Sequence, residues 1–383
     1  MLSSLVGWVL TSLTAVSIAY CLITIVVARR RVSNQRPTHW PQALPPATLL
    51  IPLCGVDFRA YDNYASFCRL DYPEFQIVFG VQDPEDSSIP VVHRIMDEFP
   101  HRDIELVISS KTIGQNPKVN NLNNMLARAR HPWLVLVDSD MRVREDYLRQ
   151  VVPSAGRDPQ TGLATCLYRA GTAPNFAARI EALGIATDFT TGVMMAEFME
   201  GISFAFGATI VIHKGKLEAL GGFEAVADHL ADDYMLGHLL WKKGCKIHLV
   251  PYVVETILPA SSFKGMLKHQ IRWARGIRAC RPVGHAASIV THTLPIALLN
   301  VAANGGSFLS LVLLGLAAAA RFTSAWTVGV KILGDATTKE NLHLLPLRDG
   351  FALFIWCMSI WGSEVEWRGK RYQIVEDGKM QPL

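Results

Sequence analysis

The sequence predicts an α/β domain set between membrane-spanning helices, on three observations. Short apolar runs of strand length alternate with helical patterns between residues 47 and 138. Uncharged apolar stretches flank that region, at 5–28 and across 282–320. Three acidic islands follow apolar runs: Asp83 in VFGVQDPEDSS, Asp138-Ser139-Asp140 in LVLVDSDMRV, and Asp232-Asp233 in HLADDYMLG. Such alternation argues for a parallel, helix-covered sheet. In sheets of that kind, ligands bind beyond the carboxyl ends of the strands.

Residues 1–31 read as an N-terminal transmembrane anchor. The run 5–28 has no charge and is followed at once by Arg29-Arg30-Arg31. About 20 apolar residues cross a bilayer. Charges after the run, with no small-residue cleavage site, argue against a cleaved signal peptide. The triple Arg assigns the following chain to the cytoplasm. Residues 32–46 (VSNQRPTHWPQALPP) are a Pro-rich linker.

The catalytic domain is expected over 47–258, with strands at ATLLIP (47–52), FQIVFGV (75–81), IELVIS (104–109) and WLVLVD (133–138). PKVNNLNNMLARAR (117–130) reads as a helix capped by Asn116 with Pro117 in its first turn. Residues 259–281 read as a basic interfacial helix: at about 100° per residue, Lys264, Lys268, Arg272, Arg275 and Arg278 share one third of the circle. Residues 282–363 form the C-terminal transmembrane region, with spans near 283–303 and 307–323 around a turn at Asn300–Gly306; the run 350–363 is short for a span. Residues 364–383 are a basic tail, which an even number of C-terminal spans keeps cytosolic.

Composition agrees with a membrane setting: 50% of residues are hydrophobic and 18% charged, where about one quarter charged is usual for soluble domains. The net charge of +4 is mild, but no Asp or Glu occurs from Thr256 to Gly334. That basic stretch adjoins apolar spans, so an anionic membrane surface or a phosphate ligand suits it better than nucleic acid. The seven cysteines are scattered without a C-x-x-C pair, which argues for free thiols in a reducing compartment. No G-x-G-x-x-G, P-loop, G-x-S-x-G or H-E-x-x-H pattern occurs.

The islands carry the chemistry. Asp138 and Asp140 can share Mg²⁺ or Mn²⁺, which then bridges to substrate phosphates; the structural alternative is capping of a following element. Asp83 is suited to a nucleobase N–H or, alternatively, to forming a turn. Asp233 suits a general base taking an acceptor proton, with helix capping as its alternative. Lys118 and Asn121, near a helix start, suit phosphate or ribose. Arg272 offers a planar fork to a diphosphate, and Trp273 a surface for sugar or lipid. The Met-rich segment 189–204 reads as core or as a pliable lipid-facing wall. Together these features imply an enzyme that moves a sugar from a nucleotide to a membrane lipid.

In order, IPLCGVD (51–57), VQDPEDSSI (81–89), GQNPKVNNL (114–122), VDSDMRV (137–143), ADDYML (231–236), RW (272–273) and EWRGKRY (366–372) resemble the ceramide glucosyltransferase family of membrane glycosyltransferases. VFGVQDP, ATCLYR (164–169), FGATI (206–210), LADDY, RWARGIR and SIVTHTLPIAL (288–298) are similar to its bacterial hopanoid-associated branch. The resemblance implies a GT-A fold, a divalent cation, a UDP-sugar donor, inverting transfer to a lipid hydroxyl, and a bacterial inner-membrane location with a cytosolic active site. In the hopanoid branch the pair is UDP-N-acetylglucosamine and a polyol-tailed hopanoid; in the ceramide branch it is UDP-glucose and ceramide. Carried over, Asp83 contacts uracil, Asp138 and Asp140 serve the metal-diphosphate, and Asp233 is the base. Arg272 and Trp273 match the end of a (Q/R)-x-x-R-W motif, with His269 at its first position. A processive polysaccharide synthase and a non-catalytic lipid-binding protein are the alternative readings.

Overall fold

Eight strands join into one sheet in the order β3-β2-β1-β4-β7-β6-β8-β5. They are β1 (Ala47–Pro52), β2 (Phe75–Val81), β3 (Asp103–Ile108), β4 (Trp133–Leu136), β5 (Met141–Arg142), β6 (Thr161–Thr172), β7 (Ile210–His213) and β8 (Lys246–Ile257). The structure is a computed structural model describing residues 2–33, 44–367 and 369–383; most of the Pro-rich linker lies outside the described residues. β1, β2, β3 and β4 pair in parallel, and β7 joins β4 and β6 antiparallel. Every residue of β1 and β2 is buried. That is why these strands read as unbroken apolar runs: a parallel sheet covered on both faces has no polar side. Tyr64, Phe67, Ile77, Phe79 and Tyr147 fill the core around them.

Contacts divide the chain into two units. The sheet unit comprises the described part of Pro37–Thr172 with Ile202–Pro259 and Glu364–Leu383. The helical unit comprises the described part of Met1–Arg36 with Ala173–Gly201 and Ala260–Ser363. This division differs from the sequence boundaries twice. Residues 173–201 leave the expected catalytic domain because Ala177 and Ile180 pack with Met266, while Met194 and Met195 pack with Val27, Ala28 and Val328. Those two Met are therefore core, whereas Phe198 and Met199 are exposed. The tail 364–383 is a small antiparallel sheet of the sheet unit: β9 (Glu364–Trp367), β10 (Lys370–Ile374) and β11 (Met380–Pro382). None of the seven cysteines forms a disulfide.

Within the helical unit, two helices among the described residues are long and apolar enough to cross a membrane, Leu5–Arg31 and Phe308–Ile332. The span expected near 283–303 is broken: Pro282–Thr291 and Thr293–Ala303 meet at 65°. A 3₁₀ turn at Ser288–Thr291 precedes the bend, and Pro295, in the first turn after it, has no N–H to extend a helix backwards. Polar side chains tie the apolar helices: Thr11 Oγ1 donates to Asn300 Oδ1 at 2.8 Å, and Cys21 Sγ lies 3.3 Å from Thr293 Oγ1. Arg275 and Arg278 of the basic helix Phe263–Cys280 donate to the carbonyls of Ile360, Trp361 and Gly362. Part of the basic face is thus engaged in satisfying carbonyls at the end of the helix Leu345–Ile360.

Arg321 lies 2.7 Å from Asp349 and 2.6 Å from Asp188, and Arg348 lies 3.0 Å from Asp188. Removing one member leaves a buried charge without its partner, which costs about 3–5 kcal/mol. Arg321→Ala is therefore expected to lower unfolding stability in detergent by that amount. The double variant Arg321→Met/Asp349→Leu is expected to recover most of it, as read by chemical denaturation.

Candidate active site

The carboxylates gather where β4 ends. Asp138 follows Leu136 by two residues, and its N–H donates to the Gly207 carbonyl at 3.1 Å. Gly207 N in turn donates to Asp233 Oδ2 at 2.7 Å. One glycine thus connects two of the islands through its two backbone groups. A Cβ at Gly207 would lie 2.5 Å from Asp138 Oδ2 and 2.8 Å from Lys118 Nζ, so any larger residue would push into the site.

Lys118 Nζ is 2.5 Å from Asp138 Oδ1 and 3.6 Å from Asp232 Oδ2. Its position follows from the local sequence. Asn116 caps the helix Pro117–Leu126, its side chain accepting from the N–H groups of Lys118 and Val119. The same amide donates to His229 O at 2.8 Å and Asp232 Oδ1 at 3.3 Å. Burial opposes the Lys118 charge, but Asp138, Asp232 and Asp233 outweigh it and hold the ammonium above its usual range.

Asp140 accepts from Thr256 Oγ1 at 2.9 Å. Burial first, then Asp138 and Asp57, push its carboxyl up to about 7. Burial and Asp232 push Asp233 up to about 6, against the pull of Lys118. Asp57, raised by burial, accepts from Ser139 Oγ at 2.5 Å. No group of three or more His, Cys, Asp or Glu side chains that could hold a metal ion occurs among the described residues. Asp138 and Asp140 have the carboxylate chemistry that a hard cation takes, and two such side chains leave most of its oxygen ligands to come from elsewhere.

The other expected residues fall as follows. Asp83 is exposed just beyond β2, and its Oδ1 accepts from Glu85 N at 2.9 Å, closing a turn. Asn121 is 2% exposed, and its amide donates to Gly80 O at 2.7 Å and Leu53 O at 3.3 Å. That side chain ties the ends of β1 and β2 together, a different task from the phosphate or ribose contact expected of it. Arg272 and Trp273 belong to the helical unit, with Trp273 4.4 Å from the His269 ring. His269 Nδ1 lies 2.9 Å from Glu181 Oε1, a partner the motif alone does not indicate. Sequence reasoning gave no site role to Asp57 or Gly207, and read Asp232 only as part of the acidic pair with Asp233. Gly207, in the turn of FGATI before β7, was the readable signal, since Gly at a turn allows close approach of backbone.

This arrangement, a mixed sheet with carboxylates beyond its parallel strands, defines a GT-A fold. The mannosyltransferase PcManGT of Pyrobaculum calidifontis, solved with GDP-Man and Mn²⁺, superposes with a TM-score of 0.56 at 18% identity, covering 93% of this chain and 99% of that one. The family model Glycosyl transferase family 21 matches residues 9–380, and the chain belongs to that family. Ceramide glucosyltransferase 1 of Caenorhabditis elegans is 26% identical over 203 residues, covering 53% of this chain and 43% of that protein. Ceramide glucosyltransferase 3 of the same organism is 24% identical over 259 residues, covering 67% and 56%. The matched stretch thus spans about half the length of these relatives.

Asp140 binds more protons in the folded state than unfolded, where a carboxyl titrates near ~3.9. Its contribution to stability is fully present below that value and is lost as pH rises through about 7. At pH 8 the buried charge weighs on the metal-free fold. Asp140→Asn is therefore expected to raise the metal-free Tm there by about 2–4 °C, the shift that ~1 kcal/mol produces in a domain of this size. The gain should shrink as pH falls and vanish only below ~3.9, where the unfolded carboxyl is protonated too, as read by differential scanning fluorimetry.

Proposed function

We propose that this chain is a membrane glycosyltransferase that moves one sugar from a UDP-sugar to a lipid hydroxyl, with inversion at the anomeric carbon. The observation that supports it most is the cluster around Gly207, which sets Asp233 and the Asp138–Lys118 pair on the two backbone groups of one residue. The acceptor oxygen attacks the anomeric carbon as its proton passes to Asp233. The bond from that carbon to the diphosphate oxygen breaks, and UDP leaves with the electron pair. Lys118 faces the leaving diphosphate, and Asp83 faces the uracil. The family resemblance alone assigns Arg272 to diphosphate and Trp273 to sugar or lipid. Asp138 and Asp140 would hold a divalent cation, which when bound supplies neutralisation of the leaving group. The catalytic unit works at the cytoplasmic face of a bacterial inner membrane, as the triple Arg after the first span supports.

The matches to ceramide glucosyltransferases favour UDP-glucose and ceramide as donor and acceptor. The motifs shared with the hopanoid-associated branch favour UDP-N-acetylglucosamine and a polyol-tailed hopanoid. Membranes carrying the chain, given each radiolabelled donor with each lipid, separate the two by which glycolipid forms; a polymeric product would overturn both.

Asp233→Asn is expected to reduce transfer by about 10²–10⁴-fold, the usual contribution of a positioned base, while UDP-sugar binding persists. Full activity in that variant would sink the base assignment. In the unaltered enzyme the base is ionised above about 6, so kcat should fall as pH drops through that value and level off above it. Chelation by EDTA should abolish transfer and added Mn²⁺ or Mg²⁺ restore it; transfer indifferent to chelation would remove the metal from the scheme.

A further inference from the structure

The segment Glu364–Leu383 contains the motif EWRGKRY, to which the proposed chemistry assigns no task. It does not lie apart from the site. Beyond β10, Gly378 O accepts from Leu230 N at 3.0 Å, and Met380 N donates to Asp228 O at 2.8 Å. His229 and Lys379 form an antiparallel bridge between these contacts. The tail therefore adds a short strand to the loop that leads directly into Asp232-Asp233.

That loop also holds the start of the Lys118 helix. Ala227 O accepts from Asn116 N at 2.8 Å, Asp228 Oδ1 from Gln115 N at 2.9 Å, and His229 O from Asn116 Nδ2 at 2.8 Å. Gly114 lies so close that a Cβ there would stand 2.6 Å from Ala227 O. Asn116, fully buried, then reaches both Asp232 and the backbone of Lys118. The loop 227–230 is thus a shared layer, with the tail on one side and the Asn116 cap on the other. Buried Tyr372, Ile374 and Met380 seat the tail sheet. Gly378 makes its turn at φ +77, a conformation that favours glycine.

We infer that the segment Glu364–Leu383 is a positioning element of the active site: by pairing with residues 228–230 it fixes the Asn116 amide, and through it the placement of Asp232, Asp233 and Lys118. It touches no reacting atom and acts through the loop. The inference deepens the transfer reading and rests on it for its kinetic arm alone.

The test uses the full-length protein in detergent, with Met380→Asp to unseat the tail strand, Gly378→Ala to strain its turn, and Met380→Leu as the conservative control. Hydrogen exchange should quicken at residues 114–120 and 226–233 in the first two variants, with β1 and β2 unchanged. Their kcat should fall about 10–100-fold, the scale of a small misplacement of catalytic groups, while the donor KM moves far less. Met380→Leu should match the unaltered protein on every readout. Unchanged exchange at 114–120 in both disrupting variants overturns the inference, and so does unaltered kcat where exchange has quickened. Should Met380→Asp quicken exchange in β1 and β2 as well, Gly378→Ala decides. Absence of glycolipid formation by the unaltered enzyme instead strikes the transfer reading, and leaves the exchange result to judge the tail.

Discussion

The contact of the Lys118 ammonium with Asp138 and Asp232 is the interaction on which the rest of the site depends. Five carboxylates, Asp57, Asp138, Asp140, Asp232 and Asp233, sit near the ends of the central strands, and four of them are pushed toward the neutral form. Burial is the leading cause for each of the four, with neighbouring like charge adding to it. A fold does not collect such groups for its own stability. Carboxylates shifted in this way by burial and like charge mark a candidate functional site. Lys118 makes the collection tolerable before anything binds, and it does so only because Asn116 and Pro117 fix the first turn of its helix.

Much of the fold was legible because local and tertiary demands agree. ATLLIP and FQIVFGV became β1 and β2 at their expected limits, since strands covered on both faces are apolar throughout. Where long-range partners intervene, the reading missed. The strand at 133 stops at Leu136 rather than 138, because Asp138 N turns to the Gly207 carbonyl. The helix from Pro117 stops at Leu126 rather than 130, where Gln76 of β2 pairs with Arg130 N and Arg128 O. Asn121 looked like a ligand residue for the same reason: its two carbonyl partners lie on other strand ends, far away in sequence. The acidic islands themselves were plain. Which neighbour holds each in place was not, since Gly207 and Asn116 act through backbone groups and amides that carry no motif.

The helical unit solves a different problem. Apolar helices gain little from one another in lipid, so polar contacts supply direction. Thr11 with Asn300, and Arg321 with Asp188 and Asp349, give these helices fixed partners. The 65° bend between residues 291 and 293 shows that apolar length alone does not define a span.

The pairing of Leu230 with Gly378 has a consequence for the order of events in the cell. The eight strands of the main sheet, Lys118 and the acidic pair are all synthesised before residue 260, yet the loop beside them receives its last backbone partners only near residue 380. Every helix of 263–360 emerges from the ribosome in between. The finished pairing therefore arrives after the apolar helices have been made, and a half-synthesised chain lacks these partners for the loop before Asp232-Asp233.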